Sequence, residues 1–183
     1  MIKRAKPVSS QFNLREQGSR GWRDRARIAA TMIAALPDAR KKELKIADVG
    51  CGDQKLREEI RTLIPAVHYH GFDLLPQSPE VAKLDISSQP LGARFDVAVL
   101  LGVLEYVDDV PSILRSLRQD CRYLIVSHSA SDFRKNPRRS KRKLGWKTLM
   151  SEKAFALSLE NAGFEIRERR LTPNRKTVIW ACQ

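Results

Sequence analysis

Cysteine is scarce. Cys51, Cys121 and Cys182 lie 70 and 61 positions apart, too few and too dispersed for a disulfide framework or a zinc cluster. They read as reduced thiols, and no metal is expected: His68 and His70 share one face of a strand without a third ligand in sight. Long apolar runs are missing as well. No stretch of 18 or more apolar residues occurs, which excludes a membrane-spanning helix. The start, Met1 to Lys6, is basic but runs into Pro7, Ser9 and Ser10 rather than an apolar signal core. The expectation is a cytoplasmic protein without stable membrane insertion.

What is present fits one domain over 1–183: the chain has 183 residues, 42% hydrophobic and 30% charged, enough for a proper core. Acid is missing from particular places. Residues 1–27 hold eight basic and two acidic side chains, and residues 134–147 hold eight basic and none acidic. Those two stretches account for all of the net +13, leaving the other 142 residues at −1. The body is electrically ordinary and carries two cationic attachments.

The spacing predicts an N-terminal basic segment and helix over 1–44, the helix at Arg23 to Leu36, and a core over 45–182 that alternates strand-like and helix-like segments. Strands are expected at Ile46–Gly50, His68–Asp73, Ala82–Ile86, Phe95–Leu101 and Tyr123–Ser127. Asp53 is expected to cap a helix carrying Leu56, Ile60 and Leu63, stopped by Pro65. Asp108 and Asp109 before Pro111 suit a helix start, and Ser151 suits the cap of a helix to Ala162 with Phe155, Leu157 and Leu159 among its apolar positions. The tract 131–147 reads as a basic loop. The last two strands, Phe164–Arg170 and Lys176–Ala181, are joined too closely for a crossover helix and must be antiparallel. The fold class is therefore α/β: a mostly parallel sheet with an antiparallel C-terminal hairpin and helices on both faces.

The chemistry concentrates at Asp48-Val49-Gly50-Cys51-Gly52-Asp53, a strand that turns through glycines into a helix. Such a turn lets a ligand approach the backbone and meet unpaired N–H groups. It fails as a dinucleotide fingerprint because Lys55 stands where a third glycine is needed. Cys51 reads as a small turn filler.

These residues resemble the first motif of the class I S-adenosylmethionine-dependent methyltransferases, of the small bacterial single-domain type: acidic, any, Gly, any, Gly. Further segments follow in that family's order over about residues 45 to 182. Asp73, 25 residues after Asp48 and followed by Leu74, stands where the family places a carboxylate on the ribose hydroxyls; read alone, it suits a turn cap as well. Leu84-Asp85-Ile86 looks like the adenine-contact segment, although Asp85 equally suits a strand-end cap. Phe95-Asp96 through Leu101-Gly102-Val103-Leu104-Glu105-Tyr106 resembles the motif that forms the floor beneath the methionine part of the cofactor. One departure stands out: Gln54 occupies a position where the family often carries glycine, and it either crowds the cofactor's carboxylate or hydrogen-bonds to it.

The resemblance implies a Rossmann-like fold and methyl transfer from S-adenosylmethionine to an O or N acceptor. Candidate catalytic residues are His128, just past the fifth strand, and Glu105 and Tyr106 after the fourth. The chain lacks the Asn-Pro-Pro-aromatic run of enzymes that methylate adenine or glutamine nitrogens, and the Pro-Cys pair of those acting on cytosine C5. Arg134, Arg138, Arg139, Lys141, Arg142 and Trp146 in the basic loop, with Trp22 and Arg23 near the N-terminus, are candidate acceptor-binding residues forming an electrostatic funnel. They point to an anionic acceptor, and Leu144-Gly145-Trp146 followed by Met150-Ser151-Glu152 resembles a pattern of small bacterial methyltransferases of polysaccharide and small-molecule biosynthesis, which implies a small or glycan-type acceptor. Aromatics are only 7% of the chain, and the basic loop contributes Trp146 alone, which counts against RNA. An RNA methyltransferase and a non-catalytic module binding nucleic acid or a partner remain the alternatives.

Overall fold

Short apolar runs bounded by glycine, proline and aspartate become the strands of one sheet in the computed structural model, which describes residues 20–37, 39, 43–64, 66–133 and 144–183. The strands are β1 (Leu44–Val49), β2 (Val67–Asp73), β3 (Ala82–Lys83), β4 (Phe95–Leu100), β5 (Cys121–His128), β6 (Ile166–Leu171) and β7 (Val178–Cys182). The helices are α1 (Arg20–Ala34), α2 (Lys55–Leu63), α3 (Val110–Asp120) and α4 (Glu152–Asn161), with 3-10 turns at Leu104–Tyr106 and Ser131–Phe133.

Strand order is β3-β2-β1-β4-β5-β7-β6. β1 pairs in parallel with β2, Asp48 opposite Gly71, and with β4, Ala47 opposite Ala98. β7 runs antiparallel to β5, Val126 opposite Trp180, and β6 antiparallel to β7. The chain moves outward from β1 to β3 and then returns to place β4 on the other side of β1. That reversal opens a crevice at the C-terminal ends of β1 and β4, where open α/β sheets take their ligands.

Alternation along the strands divides the core. Ile46, Val97, Val99 and Ile125 face α1 and α2, packing on Ala29, Ile33, Leu56 and Ile60. Ala47, Ala98, Leu100 and Val126 face α3 and α4, packing on Leu114, Leu117, Phe155 and Leu159. Asp109 accepts from Ser112 N at 3.0 Å with Pro111 in the first turn of α3, and Ser151 accepts from Ala154 N at 3.1 Å to cap α4. Gly163, at φ +88°, follows α4 and lets the chain leave the helix.

Several expectations are corrected. Asp53 is not the cap of α2; Gln54 holds that position in a left-handed conformation, φ 60° and ψ 33°, with no side-chain cap bond. Asp53 instead accepts from the Lys55 ammonium. β3 is two residues long, because Asp85 and Ile86 already belong to a turn in which Ser87 N donates to Asp85 Oδ1 at 3.0 Å. Leu63 and Leu157 lie on the solvent side of their helices, 47% and 53% exposed. Pro65 falls outside the described residues.

Candidate active site

The turn after β1 is held by main-chain bonds and by one carboxylate. Gly50 N and Cys51 N both donate to Phe72 O of β2, at 2.7 and 3.1 Å. Asp73, at the end of β2, accepts from Gly52 N on Oδ2 at 3.0 Å and from Leu75 N on Oδ1 at 2.9 Å. Asp73 therefore serves as a turn cap and still presents carboxylate lone pairs at a strand end. Gly50 sits at φ +70°, and a Cβ there would lie 2.4 Å from Val103 Cγ2. Only glycine allows the turn to close this tightly against the segment after β4.

Beneath the turn, Asp48 is 3% exposed and accepts from Tyr69 OH at 2.5 Å. Burial pushes its carboxyl up to about 7, against the lowering effect of the Tyr69 bond, with the nearby Asp73 charge pushing the same way as burial. Burial, first of all, also raises the Cys51 thiol, so this cysteine is a filler and not a thiolate. Gly71 makes room for it, since a Cβ at 71 would stand 3.0 Å from Cys51 Sγ.

These groups converge on a cavity of about 380 Å3, within the range of small-molecule sites. Of the residues singled out from the sequence, Asp48, Gly50, Cys51, Gly52, Asp73 and Leu74 line it, as do Asp85, Ile86, Leu101, Gly102, Tyr106 and Trp22. Gln54 does not: its Oε1 accepts from Arg57 Nη1 at 3.1 Å, and its Nε2 lies 3.4 Å from Ser78 Oγ. Its side chain is drawn away along α2. Arg23 is exposed and off the cavity wall, and Trp146 is buried behind it. Arg134, Arg138, Arg139, Lys141 and Arg142 lie outside the described residues.

Two candidate catalytic residues are relocated. His128 is fully buried and lines no part of the cavity; its ring stacks on Phe155 with centroids 4.5 Å apart, and Nε2 is 3.3 Å from Met150 O. It lies at the strand's C-terminal end as expected, but its side chain points into the α3–α4 layer. Glu105 is 2% exposed; its Oε1 accepts from Ser129 N at 2.8 Å and stands 4.0 Å from His128 Nδ1. Its main-chain carbonyl accepts from Lys147 N and Thr148 N at 2.8 and 3.1 Å. Glu105 thus ties together the turn after β4, the end of β5 and the segment 147–148. Tyr106, one residue on, faces the cavity.

Lys55, Gly145 and Lys147 also stand on the wall without having been singled out as site residues, and Val103 stands there within the Leu101–Tyr106 motif. Lys147 belongs to the cationic tract and carried that signal; its Nζ donates to Asp108 Oδ2 at 2.6 Å. Burial lowers the Lys55 ammonium from its usual value. Gly145 stood in the Leu144-Gly145-Trp146 pattern, which carried no cavity role for it. Among the described residues no group of three or more His, Cys, Asp or Glu is placed to hold a metal ion, and no helix is long and apolar enough to cross a membrane.

The family of methyltransferase domains matches residues 21–169, most of the chain and all of the cavity wall. The chain belongs to this methyltransferase-domain family. Solved structures share the fold at low identity. The magnesium protoporphyrin IX methyltransferase ChlM of Synechocystis, with S-adenosylhomocysteine bound, is 16% identical with a TM-score of 0.67, over 100% of this chain and 89% of that one. The N-methyltransferase NodS of Bradyrhizobium japonicum, in complex with S-adenosylhomocysteine, is 13% identical with a TM-score of 0.66, over 92% and 89%. The mitomycin 7-O-methyltransferase MmcR is 20% identical with a TM-score of 0.69, over 93% of this chain and 56% of that one. The methyltransferase domain described here thus spans less than two thirds of the length of MmcR. No curated protein compared with it matches in sequence.

Proposed function

We propose that this methyltransferase domain binds S-adenosylmethionine and transfers its methyl group to an oxygen or nitrogen of a small anionic or glycan-type acceptor. One observation carries the reading. The same cavity is lined by the glycine turn and Asp73 on one side and, on the other, by Trp22 and Lys147, which belong to the two cationic stretches of the chain.

The residues present fit the cofactor. Gly50 and Gly52 leave backbone open to an amino-acid moiety, Asp73 presents acceptors to a diol, and Leu84 and Ile86 give an apolar wall to a planar base beside Asp85. When bound, S-adenosylmethionine supplies an electrophilic sulfonium methyl.

The remaining work is placement. Reactive atoms held about 3–3.5 Å apart gain most of what an enzyme contributes to a displacement of this kind. With His128 and Glu105 buried away from the cavity, we assign the acceptor side to Trp22, Val103, Tyr106 and Lys147, and Tyr106, which lines the cavity, is our candidate to orient an acceptor oxygen or nitrogen. Lys147, held by Asp108, adds a fixed positive charge at the rim.

Titration calorimetry with S-adenosylmethionine and S-adenosylhomocysteine tests the cofactor. Binding is expected for wild type and a loss of about tenfold or more for Asp73→Ala, the scale of losing charge-assisted hydrogen bonds; equal affinity of the two would overturn the assignment. Transfer of labelled methyl to a panel of phosphorylated and nucleotide-linked sugars, run beside cellular RNA, tests the acceptor. Label incorporated into RNA and not into the sugars would replace the small-acceptor reading with RNA methylation. Absence of cofactor binding would leave a binding module.

A further inference from the structure

A second concavity, of about 270 Å3, lies outside the cofactor cavity, walled by Arg57, Ile60 and Arg61 of α2 and by Val67 to His70 of β2. β1 covers one edge of β2 over Val67 to Phe72, but on the other edge β3 pairs only with Phe72 and Asp73. Among the described residues the outer edge of Val67 to Gly71 therefore has no strand neighbour, and the groove beside it is open.

We propose that this concavity binds a phosphoryl anion, and that the bound anion competes with Glu80 for Arg57 and is thereby coupled to the cofactor cavity. Two guanidinium side chains, Arg57 and Arg61, one turn apart on α2, stand over the open edge of β2 on the face that carries Val67 and Tyr69; His68 and His70 border the concavity at the strand edge, with their side chains on the opposite face, where His70 packs against Phe95. Arg57 is already oriented. Its Nη1 donates to Gln54 Oε1 at 3.1 Å and to the Glu80 carboxylate, and its guanidinium carbon sits 5.9 Å from the centre of the Tyr69 ring. Its Nε, in contrast, is buried without an acceptor. A buried donor in that state is unfavourable, and an incoming oxygen relieves it.

The site already attracts anions. Glu80 is drawn to Arg57, and its carboxyl is held below the usual range by that hydrogen bond first and by the charges of Arg57 and Arg61 as well. Glu80 is 64% exposed and is not part of the wall of the concavity, so it does not complete the site from within. A phosphoryl group carries more charge and more acceptor oxygens than a carboxylate, and it matches the fork of an arginine pair. It should displace Glu80.

That displacement reaches the cofactor. Glu80 and Ser78 belong to the loop after β2 whose Leu74, Leu75 and Gln77 line the larger cavity, and Ser78 meets Gln54. An anion that takes Arg57 from Glu80 removes one of the ties between that loop and α2. The binding claim stands apart from methyl transfer; only the coupling claim rests on the cofactor reading.

The test is titration of the full chain with inorganic pyrophosphate, followed by the Nε–H resonances of Arg57 and Arg61 and by calorimetry. Wild type is expected to show one saturable event, Arg61→Gln a loss of about tenfold, and Glu80→Gln a gain, because the tethered competitor is gone. Arg175→Gln, which removes equal charge from the distant hairpin turn, should match wild type. Absence of saturation, an Arg61→Gln variant equal to wild type, or a Glu80→Gln variant no tighter than wild type would each overturn the site. Saturating pyrophosphate should weaken S-adenosylhomocysteine by the same factor by which that ligand weakens pyrophosphate; if each binds independently, the coupling is wrong while the anion site stands. A short single-stranded RNA that competes with pyrophosphate would identify the source as a nucleic-acid backbone. One that binds without competing would identify it as a free phosphorylated molecule.

Discussion

Asp48 carries a cost that stability measurements can detect. Its carboxyl sits near 7 in the folded chain against 3.8 for the free side chain. Between those values the folded state keeps a proton that the unfolded state gives up, so the contribution of this residue to stability is fullest below pH about 4 and is lost as pH rises towards 7. Asp48→Asn keeps an acceptor for Tyr69 OH and removes the charge. Its melting temperature is expected to exceed that of wild type at pH 8 and to vary less between pH 4 and 7, while its affinity for S-adenosylmethionine falls; parallel melting curves for the two proteins would show that Asp48 is not the titrating group. Gly102 offers a second residue-level test. It sits at φ +74°, and a Cβ there would meet Arg25 Nη1 at 2.8 Å and Trp22 at 2.9 Å. Gly102→Ala is expected to cost on the order of 1–3 kcal/mol and to shift Trp22, which calorimetry and tryptophan fluorescence would register together.

At the level of elements, the ends of β4 and β5 are held by a polar cluster in place of a catalytic pair. Glu105 receives Ser129 N, Lys147 N and Thr148 N, and Thr148 Oγ1 donates to Val107 O at 2.5 Å, so the turn after β4, the end of β5 and the segment 147–148 share one anchor. His128→Ala is therefore expected to act through packing: truncating a ring stacked on Phe155 costs about 2–4 kcal/mol, with cofactor affinity unchanged. A stable variant that binds cofactor normally yet turns over far more slowly would return His128 to the chemistry. Elements were legible where periodicity and turn residues agreed. β1, β4, the Ser151 cap and the closing hairpin follow from apolar runs, a serine at a helix start and a connection too short to cross over. Three features were not legible. The cap of α2 falls at Gln54 because the tight glycine turn leaves that residue left-handed, which no propensity announces. β3 is short because Asp85 spends its carboxylate on Ser87 N. The direction of His128 depends on strand pleat, and a one-residue change of face moves a side chain from crevice to core.

At the scale of the whole molecule, net charge says less than its distribution. The +13 resides in two tracts, one of which reaches the cavity through Trp22 and the other through Gly145 and Lys147. The described wall itself carries Asp48, Asp53, Asp73 and Asp85 against Lys55 and Lys147, so the proposed anionic acceptor would be drawn by the flanks and not by the wall. The two functions are then separable by mutation. Replacing Arg138, Arg139, Lys141 and Arg142 with glutamine should leave S-adenosylhomocysteine affinity and melting temperature as in wild type. The same variant should show a weaker dependence of anionic-acceptor turnover on ionic strength, because four of the eight positive charges of the tract that salt would screen are gone. If those side chains instead track a single-stranded backbone, wild type should bind RNA with a steep salt dependence, and removing four charges should flatten the slope of log affinity against log salt by up to about 3. Binding curves at several salt concentrations decide between the two. A variant whose cofactor affinity falls in step with its acceptor turnover would contradict both, since it would mean that the tract supports the cofactor pocket itself.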